Sequence, residues 1–346
     1  MAGEQWLVGR RFGDWEVTAF LADGGMARVW RVQHRGDGRD AALKVSRSRD
    51  PELLARASRE ARIQAQLVHP NVLTALGEVE VDGSPGILLE LVPGGLTLDR
   101  LLASGPPTGE ALERLLHGLL DGVAAAHAAG FIHRDIKPAN VLLSESEAGL
   151  VPRLADFGLA RPEFEPPEAR MTRMGVILGS AAYMAPEQAR DAGSVDARAD
   201  VWSLGALIYE LVSGRAPFEA DTLEALLDDV SHARYRPLDA VAPDLEPRWA
   251  VAVEGCLQVD PARRIPDVAT LRAVLRREVR WASGGSGSTS KPGAAAPRSL
   301  PPSRPAAETF APLPAPTRRN PVVVAMAIML VGALVVAVLQ RILHVA

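Results

Sequence analysis

With 346 residues, 47% hydrophobic and 23% charged, the chain can bury one large core or two smaller ones, which excludes disorder throughout. A formal charge of -4 leaves no basic excess of the kind a nucleic-acid binder carries, so any phosphate chemistry must be local. The single cysteine, Cys256, excludes an internal disulfide and a thiolate zinc cluster, and reads as a small buried apolar residue in a reducing compartment.

In chain order, the opening MAGEQWLVGRRFGDWEV has no uninterrupted apolar core of a signal peptide, so the bulk of the protein is expected in the cytosol, with residues 1–14 as an N-terminal extension. Alternating runs follow, WEVTAFL, RVWRVQ, AALKV and GILLELV, each bounded by turn residues and each read as a strand. One helix interrupts them. In DPELLARASREARIQAQLV, Asp50 is placed to cap, Pro51 opens the first turn, and Leu53, Ala57, Ala61 and Val68 recur at helical spacing. The spacing predicts a small sheet with one inserted helix up to about residue 92.

After LVPGG the pattern turns helical. TGEALERLLHGLLDGVAAAHAAG repeats apolar residues at Leu112, Leu115, Leu116, Leu119 and Val123, opens near Thr108 and stops at Gly130. ADVWSLGALIYELVSG is apolar almost all round, as a helix through the middle of a domain is. A mainly helical part is expected over about 93–281.

Residues 282–320 are rich in Pro, Ala, Ser and Gly and read as a disordered linker, spanning roughly 35 Å as a flexible coil. Residues 321–340 then read as a transmembrane helix, because Val322 to Leu339 carry no charge and eighteen helical residues rise about 27 Å. A buried core helix is the rival reading, but only a linker is left beside it to bury it. Arg318 and Arg319 before the span, with Lys291, Arg298 and Arg304 in the linker, tilt the N-terminal side toward the cytosol. This gives a single-pass protein of the cell (inner) membrane with a short extracytoplasmic tail, 341–346.

One segment between the helical runs carries the chemistry. In FIHRDIKPANVLL, residues 131–143, Asp135, Lys137 and Asn140 stand among apolar residues. The apolar members pin the backbone against a core, so the polar ones must point together into a solvated cleft, since unpaired burial costs several kcal/mol each. LADFGLA adds Asp156, again between apolar neighbours, and two acids with an amide suggest divalent-metal and phosphate chemistry. The triplet HRD alone is equally a capped turn with a surface ion pair.

HRDIKPAN followed by DFG and then by MAPE at 184–187 is far more specific. Over roughly residues 15–281 the sequence resembles the bacterial, eukaryotic-like serine/threonine protein kinases. The resemblance implies an α+β, two-lobed fold, with an antiparallel sheet plus one helix in the N-lobe and a mainly helical C-lobe. It implies ATP and Mg2+ as cofactors and protein substrates with Ser or Thr acceptors. Asp135 would orient the acceptor hydroxyl and take its proton, Lys137 would steady the phosphoryl group, and Asn140 and Asp156 would hold magnesium. Lys44 in AALKV would bind the α- and β-phosphates, with Glu60 in SREARI as its ion-pair partner.

The phosphate-covering loop LADGGMARVW departs from the family pattern G-x-G-x-x-G-x-V, which reads here as Ala22, Gly24, Ala27 and Val29. By itself the string is equally a hairpin turn. With Asp23, Gly25, Met26 and Arg28 it completes the implied loop, where altered ATP affinity rather than lost chemistry is expected. The resemblance places Leu21, Val29 and Ala42 above the adenine ring and Leu142 below it. Leu89 would be the gatekeeper, and Glu90 to Val92 the hinge.

For control, Thr172 in ARMTRMGV is the implied regulatory phosphosite, with Arg134 as its receptor, and the alternative is an unmodified loop threonine. Ser180 in GSAAYMAPE is a second phosphosite candidate, and its hydroxyl is placed to bond Asp135 and Lys137. Tyr183 is a further hydroxyl of the segment. Glu187 is matched with Arg264, and Asp200 with the catalytic-loop backbone. A homodimer is left open as an activating partner. The rival functional reading is a membrane-anchored pseudokinase scaffold, favoured by the altered loop and opposed by the presence of Lys44, Glu60, Asp135, Asn140 and Asp156.

Overall fold

A computed structural model describes residues 7–24, 27–47, 50–157, 179–190 and 195–281. Six strands, β1 (Arg11–Phe12), β2 (Trp15–Asp23), β3 (Ala27–His34), β4 (Asp40–Ser46), β5 (Ala75–Val81) and β6 (Ser84–Glu90), form one sheet in the order β1-β2-β3-β4-β6-β5. Every pairing is antiparallel. Side chains alternate across a pleated strand, and β4 shows why this sheet has two cores. Its Ala41, Leu43 and Val45 join Trp15, Val17, Trp30, Val32 and Leu88 on one face. Ala42 lies on the other face with Leu73, Ile87, Leu89, Val92 and Ala155. Lys44, two residues on, shares the Ala42 face and is aimed at the rest of the molecule. Burial of Leu7 and Phe12 in the first core brings residues ahead of Trp15 into the sheet lobe.

The inserted helix α1 spans Pro51–Gln66, and the Asp50 side chain accepts from the Glu52 amide at 2.9 Å. The helix stops earlier than its apolar spacing suggests. Leu67 turns inward, and Val68, expected on the buried face, is 84% exposed beyond the helix end.

The second lobe contains α2 (Leu98–Ser104), α3 (Gly109–Ala128), α4 (Pro186–Arg190), α5 (Arg198–Ser213), α6 (Leu223–Ser231), α7 (Leu238–Val241), α8 (Pro247–Cys256) and α9 (Val268–Leu275). The five apolar positions of α3 are all buried, and Gly130 beyond its end takes φ 81°, which favours glycine. Helix α5 is buried from Ala199 to Tyr209 without a polar face. Gly205 lets it approach α8: a Cβ there would stand 2.3 Å from Cys256 Cβ. Cys256 is fully buried, and burial raises its thiol pKa, as expected of an inert core residue. An antiparallel hairpin, β7 (Val141–Ser146) with β8 (Gly149–Leu154), interrupts the helices and lies under the junction of the lobes, contributing Leu142 to the sheet's second core.

The expected linker 282–320, span 321–340 and tail 341–346 lie outside the described residues. Among the described residues no helix is long and apolar enough to cross a membrane.

Candidate active site

The segment before β7 is held by a carboxylate from another helix. Asp200, 0% exposed in the first turn of α5, accepts the His133 amide on Oδ2 and the Arg134 amide on Oδ1, each at 2.8 Å. His127 Nε2 of α3 meets Oδ2 at 2.7 Å, and Gln188 Nε2 donates to the Arg134 carbonyl at 2.8 Å. These contacts fix Arg134 at φ 65°, a left-handed conformation that a non-glycine residue adopts only when its surroundings over-determine it.

His133 is buried against the Phe157 ring, with centroids 4.5 Å apart. Its Nε2 donates to the Ala155 carbonyl at 3.0 Å, and its Nδ1 accepts the Asp135 amide at 3.2 Å. That pair of bonds requires the neutral ring. Burial lowers its pKa, against the opposing pull of Asp200, Asp135 and Asp156.

Asp135 follows, with its side chain mostly covered. Its Oδ2 accepts from Lys137 Nζ and from Asn140 Nδ2, both at 2.9 Å. Asn140 Nδ2 also donates to the Asp135 carbonyl at 2.8 Å, which leaves Oδ1 as the acceptor of that amide. Lys137 Nζ reaches Ser180 Oγ at 3.0 Å, so the bond expected between these two is present.

The Ala155 amide donates to the Asn140 carbonyl at 2.9 Å, which sets Asp156 beside Asn140. Asp156 itself has φ 60°. Its Oδ1 accepts from Lys44 Nζ at 2.7 Å, a contact that joins the sheet lobe to the helical lobe. Desolvation disfavours the Asp156 charge, but Lys44, with weaker help from Lys137, overcomes it and holds the carboxyl below its usual range. The Glu60 side chain, expected to pair with Lys44, lies outside the described residues.

An anionic carboxylate beside an amide oxygen is a hard-donor pair that fits Mg2+, which takes one or two protein ligands and completes its shell with phosphate and water. Among the described residues no group of three or more His, Cys, Asp and Glu is gathered for a metal, which is the pattern of a dedicated protein cage instead.

Above this polar group, Val29, Ala42, Leu89, Val92 and Leu142 meet in the sheet's second core, open enough that Val29 and Leu142 are only partly buried. Leu21 stands largely exposed on β2. Glu90 turns its side chain away: Oε1 accepts the Thr74 amide at 3.1 Å and lies 3.3 Å from Arg153 Nη1. Its amide donates to the Thr74 carbonyl at 2.9 Å.

The implied phosphate loop is the β2–β3 hairpin. Ala22 pairs with Val29, and Ala27 pairs with Ser46. Ala22 follows a register shift after Phe20, and neither alanine takes the positive φ that would require glycine. Gly24 donates its amide to the Ala27 carbonyl at 2.9 Å, and a Cβ on Gly24 would lie 3.0 Å from that oxygen. Gly25 and Met26 lie outside the described residues, as does Thr172.

Past Ser180, Tyr183 is buried and its hydroxyl donates to Glu210 of α5, so it is a structural hydroxyl of this segment. Burial raises the pKa of both partners. Arg264 is fully covered and grips Glu187 with two bonds, at 2.6 and 3.0 Å. Sequence reasoning missed His127 on Asp200, Glu210 on Tyr183, Arg153 on Glu90, and Arg47 on Asp23. Each partner is remote in the chain and sits in no motif.

A sheet lobe and a helical lobe thus bring a lysine, two aspartates and an asparagine to their junction. Residues 15–276 match the protein kinase domain, and the chain belongs to that family. It is similar to the serine/threonine-protein kinase PknL of Mycobacterium tuberculosis, 39% identical over 263 residues, covering 75% of this chain and 64% of the relative. It is 37% identical over 236 residues to the serine/threonine-protein kinase pkn2 of Myxococcus xanthus, covering 67% of this chain and 28% of the relative. The serine/threonine-protein kinase PknB of Mycobacterium leprae is 34% identical over 277 residues, covering 76% and 42%. The chain therefore spans less than two thirds of the length of each of these relatives.

Proposed function

We propose that this chain is a serine/threonine protein kinase that moves the γ-phosphate of ATP to a protein hydroxyl. The reading is carried by the convergence of Asp135, Lys137 and Asn140 with the Lys44–Asp156 pair, supported by family membership. Asp135 accepts the proton of the acceptor hydroxyl as the new O–P bond forms and the bond to the leaving ADP breaks. Lys137 lies beside that carboxylate and offsets charge on the transferring group. Lys44 releases Asp156 and takes the α- and β-phosphates, while the Val29, Ala42 and Leu142 surfaces enclose the base. Asp156 and Asn140 would hold magnesium, which would supply neutralisation of phosphate charge. Little covalent help is needed, so positioning and fixed charge account for most of the acceleration.

Ser180 on Lys137 supports Ser/Thr rather than Tyr acceptors, because it lies where the acceptor is held. Thr172, modified by the enzyme itself and received by Arg134, is the proposed activating site. The span 321–340 tethers the enzyme to the inner membrane, a reading supported by its charge-free sequence alone. The full chain with γ-labelled ATP and magnesium should label Ser/Thr peptides and Thr172, and Asp135→Asn should abolish both. Absence of label in the wild type refutes the enzyme in favour of a scaffold. Leu330→Arg should release the protein from membranes by making insertion costly, and retention would remove the tether.

A further inference from the structure

The implied phosphate loop contains an acid. Asp23 closes β2 directly opposite Arg28 in the ladder, and a carboxylate at that place repels a polyphosphate. Two guanidiniums flank it. Arg47, immediately after β4, donates Nη1 to Asp23 Oδ1 at 2.6 Å and to the Gly24 carbonyl at 3.3 Å. Arg28 Nε stands 3.7 Å from Asp23 Oδ2. All three side chains are partly exposed, so this is a rim arrangement in contact with solvent.

Two cations around one anion reverse the local sign, leaving a positive excess at the loop edge. Arg47 also lies three residues beyond Lys44 on the same run, so its bonds fasten the loop edge to the strand that carries the phosphate-binding lysine. A loop with alanine at two of the pattern's glycine positions has fewer places where backbone amides come close to phosphate. A side-chain fastener with net positive surroundings compensates for that.

We propose that Arg47 is a positioning residue for nucleotide phosphates, acting by neutralising Asp23 and clipping the loop to β4; this rests on the ATP-binding reading above. Its effect is confined to the polyphosphate. Adenosine, which presents the same base and ribose without phosphates, binds without it.

The test uses the full chain and compares dissociation constants for Mg-ATP and adenosine, with KM and kcat for ATP alongside. Arg47→Gln should weaken ATP about two- to fivefold, the scale of a partly exposed ion pair, and leave adenosine unchanged. KM should rise by the same factor with kcat held, since uniform binding is what is lost. Arg47→Lys should recover part of the affinity. The double variant Asp23→Asn with Arg47→Gln should bind ATP more tightly than Arg47→Gln alone, because the repelling charge is gone. Unchanged ATP affinity in Arg47→Gln overturns the proposal, as does equal loss for ATP and adenosine, or a double variant no better than the single. A wild type that binds neither ligand overturns the nucleotide reading and this inference with it, whereas ATP binding with an inert Arg47 overturns this inference alone.

Discussion

Replacing Arg264 should destabilise the helical lobe far more than removing an exposed ion pair would. Its guanidinium is 0% exposed and donates to both Glu187 oxygens, to the Arg198 carbonyl at 2.7 Å and twice to the Gln258 carbonyl at 3.0 Å, while lying 5.2 Å from the Trp202 ring centre. Arg264→Ala therefore strands a carboxylate and two carbonyls at once. Breaking a buried pair costs about 3–5 kcal/mol. Each orphaned carbonyl adds about 1–3 kcal/mol, but these costs overlap, and Glu187, 21% exposed, recovers some hydration. A net loss of about 4 kcal/mol results, a large part of the roughly 5–15 kcal/mol by which a domain is stable. Glu187→Gln keeps one acceptor and leaves the carbonyls satisfied, but it leaves the buried guanidinium without its counter-charge, so it should cost about 2–3 kcal/mol, less than Arg264→Ala. Urea unfolding followed by tryptophan fluorescence measures both. Arg264→Ala within about 1 kcal/mol of wild type, or Glu187→Gln as damaging as Arg264→Ala, would refute the reasoning.

The neutral His133 ring makes stability acid-sensitive. Its folded pKa is depressed, so the unfolded chain binds the extra proton, and stability falls as pH drops below about 6.5, by up to about 1.4 kcal/mol per pH unit. His133→Asn should flatten that slope between pH 7 and 5 in a pH series of urea melts, and an identical slope in the variant sinks the assignment. Ser180→Ala removes the hydroxyl from Lys137 and should lower kcat about three- to tenfold with ATP affinity unchanged, while Ser180→Thr restores it; equal losses in both variants would count against the hydrogen bond. Tyr183→Phe leaves Glu210 without its donor and should cost about 1–2 kcal/mol at neutral pH and progressively less as pH is lowered, because burial already favours the protonated carboxyl. A loss independent of pH would place the cost elsewhere.

Four strands of the sheet, β2, β3, β4 and β6, were readable because their alternation is physical: Ala41, Leu43 and Val45 must bury together, and Ala42 must not join them; the two edge strands, the two-residue β1 and the half-exposed β5, were not. The end of α1 was not, since Val68 keeps the helical spacing while Leu67 alone turns inward. The β7–β8 hairpin also escaped notice, because Val141, Leu142 and Leu143 form an unbroken apolar run whose period favours neither strand nor helix. In the site, the charged residues of the 133–140 string were legible from spacing and resemblance. Their supports were not. Glu210 lies 27 residues from Tyr183 and Arg47 lies 24 from Asp23, and nothing local marks either pair. Such contacts arise only once elements are packed, so a single sequence read for periodicity is blind to them.

The grip of Asp200 on two consecutive amides has a dynamic corollary. Because that carboxylate belongs to α5, the most enclosed helix of its lobe, the peptide groups of His133 and Arg134 become accessible to deuterium only when the whole helical core opens. The Gly24 amide, closed by one bond at the tip of a two-strand ribbon, exchanges through local fraying. Residues proposed to act on the acceptor thus share the longest-lived cooperative unit, and those proposed to admit and release nucleotide belong to the shortest-lived.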